Sequence, residues 1–169
     1  MKVYISGKIG EEVISEATRQ KFARAEEMLK AKGYEVFNPC DERWQKTLKR
    51  EYEGDSYVKS PWLAGKFPDF YAYVLLRDLM VLSTKDAVFF LHDWKYSPGA
   101  RSEYYFAVAT KKTVFFADRG DAHDYLSTEF WRLADKGTLA QKYFDMASGT
   151  EALDAYVEDY SSDVWLPLE

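Results

Sequence analysis

Cysteine and histidine are scarce in this chain, and their scarcity closes off two chemistries. A single cysteine, Cys40, excludes an internal disulfide, and with only His92 and His123 no zinc cluster can be spelled. Long apolar runs are lacking too. No stretch of about 18 apolar residues reads as a membrane span, and the N-terminus goes directly into a strand with no secretory leader. Nor is there an excess of basic residues. Lys and Arg number 23 against 28 Asp and Glu, a net charge of -5 at pH 7. That balance argues against a coat for polymeric nucleic acid and against a membrane-surface binder, both of which want a basic face. It does not exclude a single nucleotide held by a few local groups. Internal repeats, low-complexity tracts and a clear domain boundary are also missing. The expectation is a reduced, cytoplasmic protein that needs no metal or other cofactor.

The 169 residues suffice for one domain with a proper core. Aromatic residues make up 17%, with 13 Tyr and 11 Phe, so part of that surface is expected to serve a ligand or partner. Lys2 to Ser6 reads as a first strand, followed by the turn Gly7-Lys8-Ile9-Gly10. This turn lacks both the dinucleotide fingerprint and the Gly-Lys-Ser/Thr ending of a phosphate loop. Residues 12 to 32 show Ile14, Phe22, Ala25 and Leu29 near one helical face, ended by Gly33. Tyr34 to Phe37 is a short second strand, stopped by Asn38-Pro39.

The stretch from 41 to 69 is too long for a plain loop. Trp44, Leu48 and Tyr52 recur at helical spacing and predict a helix near 42 to 53; the remainder is turn-rich. The whole reads as an insertion that either lids a pocket or serves as a surface arm or dimer contact. Pro68 and Asp69 open the next helix, to about 84, with Arg77-Asp78 toward its end.

Ala87 to Leu91 is a short continuous apolar run, as in a parallel strand buried on both faces. Ser97-Pro98-Gly99 then caps and starts a helix over 100 to 111, with Glu103 about one turn in. Thr113 to Phe116 is the next strand. Helices are expected at 121 to 136, 138 to 148 and, capped by Thr150, 151 to 160, with the tail Val164-Trp165-Leu166 docking on something apolar. The alternation predicts a doubly wound α/β domain with a parallel sheet ordered 2-1-3-4 and a fifth strand possible. Ligands bind at the carboxyl ends of strands in such sheets, which puts Ser97 and Glu103 where a site should be.

Four motifs in order carry a resemblance: Val3-Tyr4-Ile5-Ser6-Gly7, Glu35-Val36-Phe37-Asn38-Pro39, Arg77-Asp78-Leu79 running to Asp86-Ala87-Val88, and Trp94 with Ser97, Gly99, Ala100 and Glu103. Together they resemble the nucleoside 2-deoxyribosyltransferase-like superfamily over residues 1 to 117, and especially a phage-and-prophage type subgroup of it. Relatives include nucleoside 2-deoxyribosyltransferases and 2'-deoxynucleoside 5'-monophosphate N-glycosidases. The resemblance implies a core at 1 to 117, a helical C-terminal extension at 118 to 169, a nucleoside or nucleotide substrate, and a homodimer or higher homo-oligomer whose subunits complete one another's pockets. It implies that Glu103 is the nucleophile at the anomeric carbon and that Asp78 positions or protonates the sugar or base. Tyr4 would orient the glutamate, with Ser6 and Gly7 lining the pocket. Ser97 matches the serine that the monophosphate hydrolases use on the 5'-phosphate, where the transferases commonly have aspartate. The hydrolases' longer glycine- and arginine-rich loop is reduced here to Lys8-Ile9-Gly10.

Each candidate also has a plainer reading. Glu103 would be a first-turn acid favoured by the helix dipole, Ser97 an N-cap, and Asp78 a solvated or salt-bridged residue. Asn38 would only end its strand, Trp94 pack rather than stack on a base, and Lys8 and Arg101 be solvated rather than meet a phosphate. The rival functions are a non-catalytic nucleotide-binding module and an interaction protein using the aromatic insertion.

Overall fold

The computed structural model describes residues 1–11, 13–53 and 69–168. The turn-rich part of the expected insertion and Pro68 lie outside them.

Four strands form one all-parallel sheet: β1 (Lys2–Ser6), β2 (Glu35–Phe37), β3 (Ala87–Phe90) and β4 (Thr113–Phe116), in the order β2-β1-β3-β4. All four residues of β3 are buried, which explains why its sequence is continuously apolar rather than alternating. The register pairs Val3 with Val36 and Ser6 with Phe90. The chain therefore leaves β1 to one side and returns to the other, and the carboxyl ends of β1 and β3 meet at the switch point.

In the compact unit Met1–Val114, α1 (Glu16–Ala31) joins β1 to β2. It starts later than the spacing predicts, and Ile14 is not helical. The reason is local: the Ser15 hydroxyl accepts from the Thr18 N–H as N-cap, while the Ser15 N–H donates to Glu11. After β2 come α2 (Glu42–Glu53) and α3 (Phe70–Ser83), the latter capped by Asp69. A 3-10 turn (Trp94–Tyr96) and α4 (Pro98–Ala109) follow β3.

The unit Phe115–Glu169 holds α5 (Arg119–Asp135), α6 (Gln141–Phe144) and α7 (Gly149–Val164). Its rings pack edge to face, Phe130 against Tyr143 and Tyr156. The helix expected at 138 to 148 shrinks to one turn because Ser148, not Thr150, caps α7, and Glu151 reaches back to the Ala147 N–H. The tail docks as expected: Trp165 donates to the Ala117 carbonyl and bridges Phe116. Among the described residues, no helix is long and apolar enough to cross a membrane.

Candidate active site

A pocket of about 610 Å³ opens at the switch point, within the unit Met1–Val114. Its walls are the turn after β1 from Gly7 to Glu11, the face of α3 carrying Phe70, Tyr71, Val74 and Leu75, and the start of α4 from Ser97 to Ala100. Glu11, Asp78 and Glu103 supply the carboxylates of its lining, the last two from the buried floor. The size suits a small organic molecule, and the mostly apolar wall with a few converging polar groups is what such a ligand needs.

The floor is an unusual set of buried polar groups. Asp78 and Glu103 are each only 7% exposed, and Tyr4 and Ser6 are buried behind them on β1. Burial pushes Asp78 up to about 7, against the pull of the Trp44 N–H and the Arg77 charge. Burial also pushes Glu103 well above the ordinary carboxylate range; the negative charge of Asp78 adds to it and the Tyr4 hydroxyl opposes it. Tyr4 rises well above its ordinary value for the same first reason, reinforced by both carboxylates. Yet Tyr4 Oη, Ser6 Oγ and Glu103 Oε2 complete no hydrogen bond with any described residue. An unsatisfied buried polar atom costs roughly 1–3 kcal/mol, and Glu103 on the pocket wall with Tyr4 coupled to it points to groups kept for something that enters.

Helix α2 braces Asp78. Trp44 Nε1 donates to Asp78 Oδ1 at 2.9 Å. One helical face further along, Glu51 accepts from Arg77 Nε and Nη2 at 3.0 and 3.1 Å and from the Tyr73 hydroxyl at 2.5 Å. The Trp44 ring is itself held between Phe37, edge-on at 5.4 Å, and the Arg77 guanidinium, also at 5.4 Å.

The turn after β1 is fastened from below. Lys21 Nζ donates to the Lys8 carbonyl at 2.7 Å and to Asp93 at 2.5 Å, and Asp93 accepts from the Lys8 N–H at 3.0 Å. A Cβ at Gly7 would stand 2.7 Å from Leu91 Cδ1, so packing against Leu91 demands glycine there. At Gly99 a Cβ would lie 3.2 Å from the Tyr71 hydroxyl, so this glycine lets the start of α4 approach α3. The Ser97 hydroxyl accepts from the Ala100 N–H at 3.2 Å, an N-cap on a residue that also lines the pocket.

Of the residues singled out from the sequence, Gly7, Lys8, Asp78, Ser97, Gly99 and Glu103 line one pocket, with Tyr4 and Ser6 buried behind it. Asn38, Trp94 and Arg101 do not line it. Asn38 donates to Glu26 and accepts from the Cys40 N–H; Trp94 packs with Phe90 and Tyr104; Arg101 donates to the Lys95 carbonyl. Cys40 is buried, which pushes its thiol up to about 12. Sequence reasoning missed Trp44, Gln45 and Tyr71. Their only signal was helical spacing for Trp44, which marks a buried face and not a hydrogen bond. No group of three or more His, Cys, Asp or Glu among the described residues is placed to hold a metal ion.

A family model described as "Domain of unknown function (DUF4406)" matches residues 1–116, and the chain belongs to that family. The match takes in every residue that lines the pocket. No curated protein and no solved structure matches the chain.

Proposed function

We propose that this DUF4406 protein cleaves, or transfers at, the N-glycosidic bond of a nucleoside, deoxynucleoside or nucleoside 5'-monophosphate. The single observation that carries the reading is Glu103 Oε2, a buried carboxylate oxygen without a partner among the described residues, beside Asp78 at a pocket of nucleoside size. Breaking such a bond builds positive charge at the anomeric carbon, which a carboxylate stabilises or traps, while an acid lets the base leave. The floor is suited to both tasks. Asp78 and Glu103 are both buried and Glu103 feels the Asp78 charge, so the floor offers one carboxyl as a candidate acid and the other as a candidate nucleophile.

In this reading Glu103 attacks the anomeric carbon, the C–N bond breaks and its electrons go to the base. Asp78 gives up its proton to the departing nitrogen. Asp78, now ionised, takes a proton from water or from a second base as that acceptor opens the glycosyl ester, and Glu103 is regenerated. The Tyr4 hydroxyl, which favours the ionised form of Glu103, readies the nucleophile.

The test is base release, followed by chromatography, from a panel of nucleosides, 2'-deoxynucleosides and their 5'-monophosphates, with and without a second free base. Glu103→Ala serves as the control. Release that needs Glu103 supports the reading, and new nucleoside on adding a base identifies a transferase. A folded protein that binds panel members and releases no base overturns it in favour of a sensing module.

A further inference from the structure

We infer that Trp44 is a positioning residue for this chemistry, holding the Asp78 carboxyl through one fixed N–H and so setting when that carboxyl gives up its proton. The inference rests on the proposed reaction for its purpose, though not for its physical content.

The argument starts with the packing around the indole. Trp44 lies on α2 with Leu48 fully buried one turn later, so the helix is seated. Phe37 edge-on and the Arg77 guanidinium leave the ring little freedom, which fixes the direction of its single donor. That donor meets Asp78 Oδ1 at 2.9 Å. Asp78 itself lines the pocket.

The charged and titratable groups around Asp78 divide by element. Arg77 is beside it on α3, Glu103 faces it from α4, Tyr4 stands behind on β1, and Cys40 lies near it in the segment before α2. Glu51 on α2 is paired with Arg77 and blunts that cation's pull on Asp78. Among these neighbours Trp44 is the uncharged hydrogen-bond donor to Asp78, and an N–H donor favours the ionised form of a carboxylate. Loss of the N–H therefore raises the Asp78 midpoint. Loss of the Glu51 charge lowers it, because Arg77 is then uncompensated. A merely structural role for α2 would not produce opposite signs.

The experiment follows Asp78 by carbon NMR of aspartate side-chain carboxyls, assigned with Asp78→Asn, in wild type, Trp44→Phe and Glu51→Gln. Trp44→Phe is expected to raise the midpoint by about one unit, and Glu51→Gln to lower it. Where base release is present, the pH limb set by Asp78 moves with the midpoint in Trp44→Phe, while KM changes less than about twofold. Should Trp44→Phe fail to fold, site-specific benzothienylalanine at this position, with sulfur in place of the N–H, gives the same reading with the ring retained. A shifted midpoint in a protein that releases no base leaves Trp44's role standing and overturns the glycosidic reading alone. An unmoved midpoint, or shifts of the same sign in both variants, overturns the role of Trp44.

Discussion

The Tyr4 hydroxyl and the Glu103 carboxylate influence one another's ionisation from within the core, yet Tyr4 Oη and Glu103 Oε2 are both without a completed hydrogen bond among the described residues. Strand β1 is buried along its length after Lys2, so a phenylalanine at position 4 would serve packing as well as tyrosine does. The hydroxyl therefore acts on Glu103 rather than on the packing of the strand. Removing it by Tyr4→Phe should leave stability unchanged or raise it by up to about 2 kcal/mol. It should also remove an interaction that lowers Glu103, so the acid limb of base release moves to higher pH and kcat falls about tenfold or more. Loss of stability with unaltered kcat would assign Tyr4 to the core instead.

Asp78 makes a prediction about pH and stability. In the folded chain it holds its proton to about pH 7, while its ordinary value is 3.8. The folded state therefore binds more protons than the unfolded state between those limits, and stability falls as pH rises through that window. Three units correspond to at most about 4 kcal/mol, and Glu103, raised in the same sense, extends the decline upward. Asp78→Asn keeps an acceptor for Trp44 and removes the charge. Denaturant unfolding should show it more stable than wild type at pH 8 by roughly 1–3 kcal/mol and nearly equal at pH 4. Equal stability at both pH values would mean that Asp78 ionises freely in the fold.

Gly7 separates a packing explanation from a ligand explanation. An alanine Cβ would press on Leu91 Cδ1 at 2.7 Å and on Leu91 Cβ at 3.0 Å, and Leu91 is fully buried. Gly7→Ala should cost about 1–3 kcal/mol by thermal or denaturant unfolding. In a Leu91→Ala background one of the two contacts is gone, so the added cost should shrink. The same cost in both backgrounds would remove Leu91 as the reason for the glycine.

These cases show which parts of the molecule the sequence makes legible. The strand order could be read because β3 is uniformly apolar and the crossovers have a fixed hand, which leaves few topologies. Ser97 and Glu103 could be placed because a cap and a first-turn acid lie at known offsets from a helix start. Trp44 could not be tied to Asp78, 34 positions away, because spacing reveals which face of a helix is buried and not which donor meets which acceptor. Asn38 illustrates the reverse. Its place at a strand end suits a ligand contact, and its two side-chain atoms are taken by Glu26 and the Cys40 N–H. Ile14 fell on the wrong side of a helix boundary because the Ser15 cap, held in turn by Glu11, sets the first turn after it, an interaction periodicity does not register.

Ser97 bears on whether the substrate carries a 5'-phosphate. Its hydroxyl is already used as an acceptor by the Ala100 N–H, but Ser97 and the N-terminal turn of α4 line the pocket, and the hydroxyl can still donate. Lys8 is the single cation among the described residues that line the pocket, against the acids Glu11, Asp78 and Glu103. A phosphate would therefore depend heavily on Ser97 and the helix end. Ser97→Asp is the discriminating change, since aspartate caps a helix as well as serine does and stability should stay within about 0.5 kcal/mol. Its charge, however, opposes a phosphate at close range. If the monophosphate is the substrate, its kcat/KM should fall about tenfold or more in this variant while release from the free deoxynucleoside changes less than about twofold. A free nucleoside as substrate gives the opposite pattern, because aspartate accepts a hydrogen bond from a 5'-hydroxyl and the variant keeps or gains activity on it. If neither substrate responds, Ser97 is a cap and nothing more, and recognition of the far end of the sugar falls to Lys8 and the turn after β1.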